Sequence, residues 1–181
     1  MTQILNQFPD KYEICNSYSG NGFGYLKTNI KGFCQASLVN PHFMLTDLDS
    51  YECPIKLRND WINFELKPNF IFRIAVREVE SWVLSDREGF SRFLNVSIAN
   101  LPLNPDNEPD PKNTLIHLAK RSKKRAIKED IVPINQNAKI GPNYNGCLSE
   151  FVFKSWNIEN AILQSDSLRR AFEKLRDFQP S

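Results

Sequence analysis

The chain is poor in the residues that most often announce a chemistry. Its 181 residues include two histidines, His42 and His117, so a paired-histidine metal site or a Ser-His-Asp arrangement has little to build on. The four cysteines, Cys15, Cys34, Cys53 and Cys147, contain no Cys-x-x-Cys pair, which argues against both a zinc site and a disulfide framework. No apolar run approaches the roughly 18 residues that a bilayer span requires. Met1 to Gln7 lacks a basic-then-apolar signal pattern, so the expected compartment is the cytoplasm, with no membrane partner. Among the seven glycines, the cluster Gly20-Asn21-Gly22-Phe23-Gly24 precedes a helix but lacks the Gly-Lys-Ser/Thr of a phosphate-binding loop. A structural turn is the favoured reading, with backbone N–H groups offered to a phosphate as its rival. Neither sign of charge dominates: a net +2 does not by itself mark a nucleic-acid binder.

What is present is a globular composition, 41% apolar and 24% charged, enough for one soluble domain with a real core. Lys11 to Cys15 reads as a short strand, and a helix is expected to start at Tyr25 to Ile30. Phe43 to Leu48 reads as the second strand. Pro54 opens a helix on which Ile55, Leu57, Trp61, Ile62 and Leu66 recur at near-helical spacing. Phe70 to Val76 is more continuously apolar, as in a parallel strand buried on both faces. Val79, Trp82, Val83, Phe90, Phe93 and Leu94 describe one long or broken helix. The proline-rich stretch from Leu101 to Pro111 is a loop, and beyond it the pattern is helix only. The expectation is an α/β protein: an α/β core over residues 1–97, its strands falling within 10–97, and a helical half over 98–181 packed beside it. Trp61, Trp82 and Trp156 fall on apolar helix faces and read as core residues.

The most informative stretch is Phe43-Met44-Leu45-Thr46-Asp47-Leu48-Asp49, an apolar strand that ends in two carboxylates on alternate residues. At a strand's carboxyl end both side chains can swing toward one crevice. Asp-x-Asp also occurs as a solvated turn or helix cap. Here it terminates an apolar strand, and Glu80 follows the next one. Clustered carboxylates raise one another's pKa unless a cation is present, and hard oxygen ligands suit Mg²⁺ or Mn²⁺. Asp47, Asp49 and Glu80 are therefore the candidate metal ligands and catalytic residues.

Charge is unevenly distributed. Lys112, Lys120, Arg121, Lys123, Lys124, Arg125 and Lys128 occur with no acid among them. Such a run is either a solvated helix face or a phosphate-binding stripe, and nearness to the carboxylates would favour the stripe.

Phe43 to Asp49, the segment from Arg73 to Asp86 with its Val79-Glu80-Ser81-Trp82, Gly141-Pro142-Asn143-Tyr144, and Ser165 to Arg170 together resemble a bacterial toprim-like family. That family is related to toprim nucleases of the overcoming-lysogenization-defect type found in anti-phage systems. The resemblance covers most of the chain from about Gly20. It implies a toprim-like, mostly parallel sheet with helices on both faces, and Mg²⁺-dependent phosphodiester cleavage in DNA or RNA. It also implies an Asp-x-Asp metal pair and a partner ATPase. The family's opening strand, ending in an acidic residue and glycine, has no counterpart in Met1 to Asn6, so the first strand is expected to be absent. The competing reading is a non-catalytic toprim-like module that binds nucleic acid or the ATPase.

Overall fold

The computed structural model describes residues 1–18 and 22–181. In chain order the helices and strands are α1 (Thr2–Leu5), α2 (Gly22–Ala36), β1 (His42–Asp47), α3 (Pro54–Trp61), β2 (Phe70–Ala75), α4 (Val79–Ser85) and α5 (Arg87–Leu94). Then follow α6 (Pro111–Lys120), α7 (Arg125–Ile131), α8 (Tyr144–Lys154), α9 (Ile158–Gln164) and α10 (Asp166–Asp177). Short 3₁₀ turns at Ile98–Asn100 and Pro105–Asn107 interrupt the loop before α6.

β1 and β2 pair in parallel, in register from His42 opposite Phe70 to Asp47 opposite Ala75. Side chains alternate between the faces of the pair, and both faces are apolar, so each must be covered. Met44, Phe70 and Phe72 pack with Ile30 and Cys34 of α2 and with Leu57 and Trp61 of α3. On the other face Ile71 and Ala75 pack with Ile4, Trp82, Ala161, Leu168, Ala171 and Leu175. The carboxyl-terminal helices α9 and α10 thus complete the sheet's second face. A separate helical cluster, built on Leu84, Phe90, Leu94, Leu115, Ile131 and Phe151, lies beyond α4.

The mixed α/β character, the parallel pairing and the helices on both faces agree with the sequence reading. The first expected strand does not form: Lys11 to Cys15 is a turn followed by irregular chain. Its side chains tie it to another element instead, the Lys11 ammonium and the Tyr12 hydroxyl donating to the carbonyls of Arg176 and Leu175 at the end of α10. Among the described residues the sheet therefore has two strands. Trp61 and Trp82 are buried as expected. No helix of the described residues is long and apolar enough to cross a membrane.

The break between α4 and α5 has a specific cause. Asp86 is 0% exposed; its carboxylate caps α5 by accepting the Gly89 N–H at 3.0 Å and accepts the Asn157 N–H at 2.8 Å. One side chain thereby joins the helix turn to the start of α9. Position 89 must be glycine for this to work, because a Cβ there would stand 2.0 Å from Asp86 Oδ2. Asp86→Ala removes a cap and strands a second N–H, a combined cost of about 2–4 kcal/mol. Urea unfolding should show that loss as a lower midpoint at unchanged slope; a loss below about 0.5 kcal/mol would contradict the assignment.

Candidate functional site

The crevice forms where β1 ends. Asp47 is the last residue of the strand, and Asp49 adopts φ 52°, in the left-handed region that Asp tolerates better than most residues. The bend is pinned by Arg77, whose carbonyl accepts the Leu48 and Asp49 N–H groups at 2.8 and 3.1 Å. The Arg77 guanidinium also donates to the Tyr51 carbonyl at 2.9 Å. Asp47, Asp49, Glu78 and Lys112 consequently line one crevice of about 490 Å³, together with the rings of Tyr18, Phe23 and Tyr25.

Asp47 Oδ1 accepts the Val79 N–H at 2.9 Å, which couples the end of β1 to the first turn of α4. Burial, assisted by the nearby charges of Glu80 and Glu78, pushes the Asp47 carboxyl up to about 6 despite that hydrogen bond and the attraction of Lys112. Lys112 sits among the other acids. Its backbone N–H donates to Glu78 Oε2 at 3.1 Å, and its ammonium lies 3.4 Å from both Glu78 Oε1 and Glu80 Oε1. Burial opposes the ammonium, but Glu80 and Glu78 outweigh it and the Lys112 pKa is raised. The Tyr144 hydroxyl, brought in by α8, donates to Glu80 Oε1 at 3.0 Å, and burial together with the Glu80 charge holds its pKa well above the usual tyrosine value.

Asp47 and Asp49 reach one crevice, as the sequence reading expects. Glu80 is close enough to Asp47 to affect its charge, but only 5% exposed and bonded to Tyr144 and Lys112. It belongs to the wall behind the crevice. Among the described residues no group of three or more His, Cys, Asp or Glu side chains is arranged to hold a metal ion, so the three-carboxylate cage is corrected. The remaining donor set still suits Mg²⁺, which commonly keeps several waters and binds through one or two carboxylates plus substrate phosphates. Of the carboxylates, Asp47, Asp49 and Glu78 line the crevice.

The basic run divides. Lys112 belongs to the acidic crevice, whereas Lys120, Arg121, Lys123, Lys124, Arg125 and Lys128 are exposed around the far end of α6 and on α7. Eight residues of helix separate Lys112 from Lys120, about 12 Å at ~1.5 Å per residue. In the glycine cluster, Gly20 and Asn21 lie outside the described residues; Gly22 starts α2 with φ 67°.

Glu78 and Tyr144 are the site residues that sequence reasoning missed. A signal for Glu78 existed, since Glu78-x-Glu80 after β2 mirrors Asp47-x-Asp49 after β1. Tyr144 is 64 residues from Glu80 in sequence, and no local pattern pairs them. Comparisons with known protein families, with curated proteins and with solved structures find no match for this chain.

Because its folded pKa lies above the ordinary 3.8, Asp47 stabilises the fold fully only below about pH 4, and that contribution is lost as pH rises toward 6. Asp47→Asn retains an oxygen to accept the Val79 N–H and removes the charge. The variant should melt about 2–6 °C above the parent at pH 7, corresponding to ~1–2 kcal/mol after allowance for partial solvent screening. The gap should close near pH 4. A constant gap across pH 4 to 7 would show that Asp47 is not the titrating group.

Proposed function

We propose that the protein is a metal-dependent nuclease of toprim-like type, acting on phosphodiesters of DNA or RNA, with Asp47 and Asp49 as the ligands of Mg²⁺ or Mn²⁺. The observation that supports this reading is the placement of both carboxylates in one crevice at the carboxyl end of a parallel strand pair. Asp47, Asp49, Glu78 and Glu80 bring four potential negative charges, and Lys112 is the one cation hydrogen-bonded among them within the described residues. The excess negative charge calls for a further cation. Bound there, the ion would neutralise charge at a phosphoryl oxygen and make a coordinated water more acidic.

The chain's own groups have separable tasks. Burial and the neighbouring acids raise the Asp47 carboxyl pKa in the crevice, and a bound divalent cation would hold the same group ionised as a ligand. Lys112 and Tyr144 fix Glu80, and Lys112 also fixes Glu78, so the acidic wall keeps its shape when the crevice fills. The basic residues from Lys120 to Lys128 serve a nucleic-acid backbone at a distance. About 12 Å along α6 corresponds to three or four base-pair rises of ~3.4 Å along the axis of a duplex. The toprim-like resemblance extends the proposal to bacterial anti-phage defence beside a partner ATPase.

A second reading draws on the Lys112 ammonium itself, which already stands between two of the acids. On that reading the carboxylates are a self-neutralised structural network, and the protein is a non-catalytic module that binds nucleic acid or the ATPase.

Incubation of the purified protein with single- and double-stranded DNA and RNA, in Mg²⁺ and in Mn²⁺, separates the readings. The nuclease reading expects cleavage or nicking that falls at least about 100-fold when Asp47 and Asp49 are both replaced by Asn. Changing Lys120, Lys123 and Lys124 to Glu should weaken nucleic-acid binding and flatten its salt dependence. Absence of cleavage with either ion on every substrate would favour the non-catalytic module.

A further inference from the structure

The crevice has a second wall that metal chemistry does not use. Tyr18, Phe23, Tyr25 and Leu26 line it opposite the acidic residues. Phe23 is tied into the core by an edge-on contact with Trp61 at 4.7 Å between centroids. Tyr18 and Tyr25 share a different support: both rings pack against Phe33, at 5.4 and 6.2 Å. Tyr18 nevertheless remains 58% exposed. Phe33 thus braces both tyrosines; Tyr25 is half-buried, and the open Tyr18 ring beside an acidic crevice costs apolar exposure in the free protein.

We propose that this wall is a stacking platform for an unpaired base, so that the crevice takes single-stranded nucleic acid in preference to duplex. The inference rests on the nuclease reading for the position of the adjacent phosphate, which Asp47 and Asp49 would hold through a divalent ion. One observation and two general properties of nucleic acids favour a nucleotide here. The volume of about 490 Å³ falls in the ~300–1,000 Å³ range of sites that enclose a small ligand. Aromatic rings offer a sequence-tolerant π-face to any base. A duplex keeps its base faces covered by their neighbours and can offer one to Tyr18 or Tyr25 only after a nucleotide is unstacked and flipped out. The acidic side of the crevice, with Asp47, Asp49 and Glu78, repels a bare phosphate unless a cation lies between them.

The roles of the two walls are tested by separate measurements on the full chain. Electron paramagnetic resonance of Mn²⁺ without nucleic acid reports cation binding by Asp47 and Asp49, and hence the functional reading. Fluorescence anisotropy in Ca²⁺, with a labelled ten-nucleotide deoxythymidine strand and a blunt duplex of the same length, reports the stacking wall. The parent should bind the single strand at least tenfold more tightly than the duplex. The variant carrying Tyr18→Ala and Tyr25→Ala should lose about tenfold in affinity for the single strand, while Tyr18→Phe with Tyr25→Phe should retain it, because the ring and not the hydroxyl stacks. Mn²⁺ binding should be the same in all three proteins. Equal affinity of the parent for strand and duplex would overturn the inference, as would an undiminished preference in the alanine variant. Either result would leave the cation site standing if Mn²⁺ still binds. A ring-dependent strand preference without Mn²⁺ binding would support the platform and remove the nuclease reading alone.

Discussion

The placement of one ammonium group governs this end of the molecule. Asp47, Glu78 and Glu80 lie near enough at the end of a two-stranded sheet for the two glutamates to raise the Asp47 pKa, and like charges at such proximity oppose folding. Lys112 lies 3.4 Å from two of them, and its own backbone N–H, in the first turn of α6, is satisfied by Glu78. Pro111 and the Asp110 cap set where that helix begins, with Asp110 Oδ1 accepting the Asn113 N–H at 2.8 Å. The start of α6 is thus both a structural terminus and the counter-charge for the crevice. Breaking a buried ion pair commonly costs about 3–5 kcal/mol. With the Lys112 side chain 37% exposed, the cost here belongs below that range.

The remaining acids keep their positions because the helical half supports the sheet from behind. Ser167 Oγ accepts the Trp82 indole N–H at 2.7 Å, and the Ser167 N–H donates to Asp106 at 2.9 Å. Asp106 also accepts the Ser165 hydroxyl at 2.7 Å, while Ser165 Oγ caps α10. The loop before α6, the start of α10 and the helix carrying Glu80 are joined through these few polar atoms. Tyr144 adds a fourth element, α8, by donating to Glu80. Geometry at the crevice therefore depends on residues far along the chain. The sheet supplies Asp47, and the bend just beyond it supplies Asp49.

How much of this was legible in the sequence follows from which interactions are local. The apolar runs at 43–48 and 70–76 and the helix-opening proline at 54 are short-range signals, and each appears in the structure at or within a residue or two of its expected place. Asp47 and Asp49 were legible because a strand end imposes their common direction. Glu80 was grouped with the aspartates because it follows the second apolar strand, whereas Tyr144, 64 residues away, and Lys112 hold it in the wall. Lys11 to Cys15 read as a strand on composition, yet its polar ends bond to the last turn of α10, a contact across more than 160 residues. The basic run was open to two readings, a solvated helix face or a phosphate-binding stripe; the helix that begins at Pro111 puts Lys112 at the crevice and the rest at its far end and on α7.

If Asp47 and Asp49 are a cation site while the basic residues past α6 serve only backbone phosphates, a paramagnetic ion will find the first and ignore the second. Substoichiometric Mn²⁺ added to ¹⁵N-labelled protein should broaden the amide signals of Asp47, Leu48, Asp49 and Val79 before any others, because relaxation enhancement falls off steeply with distance from the ion. Amides of α7, from Arg125 to Ile131, should stay sharp at the same ratio. Uniform broadening, or broadening centred away from the end of β1, would contradict the assignment of this crevice as the metal-binding site.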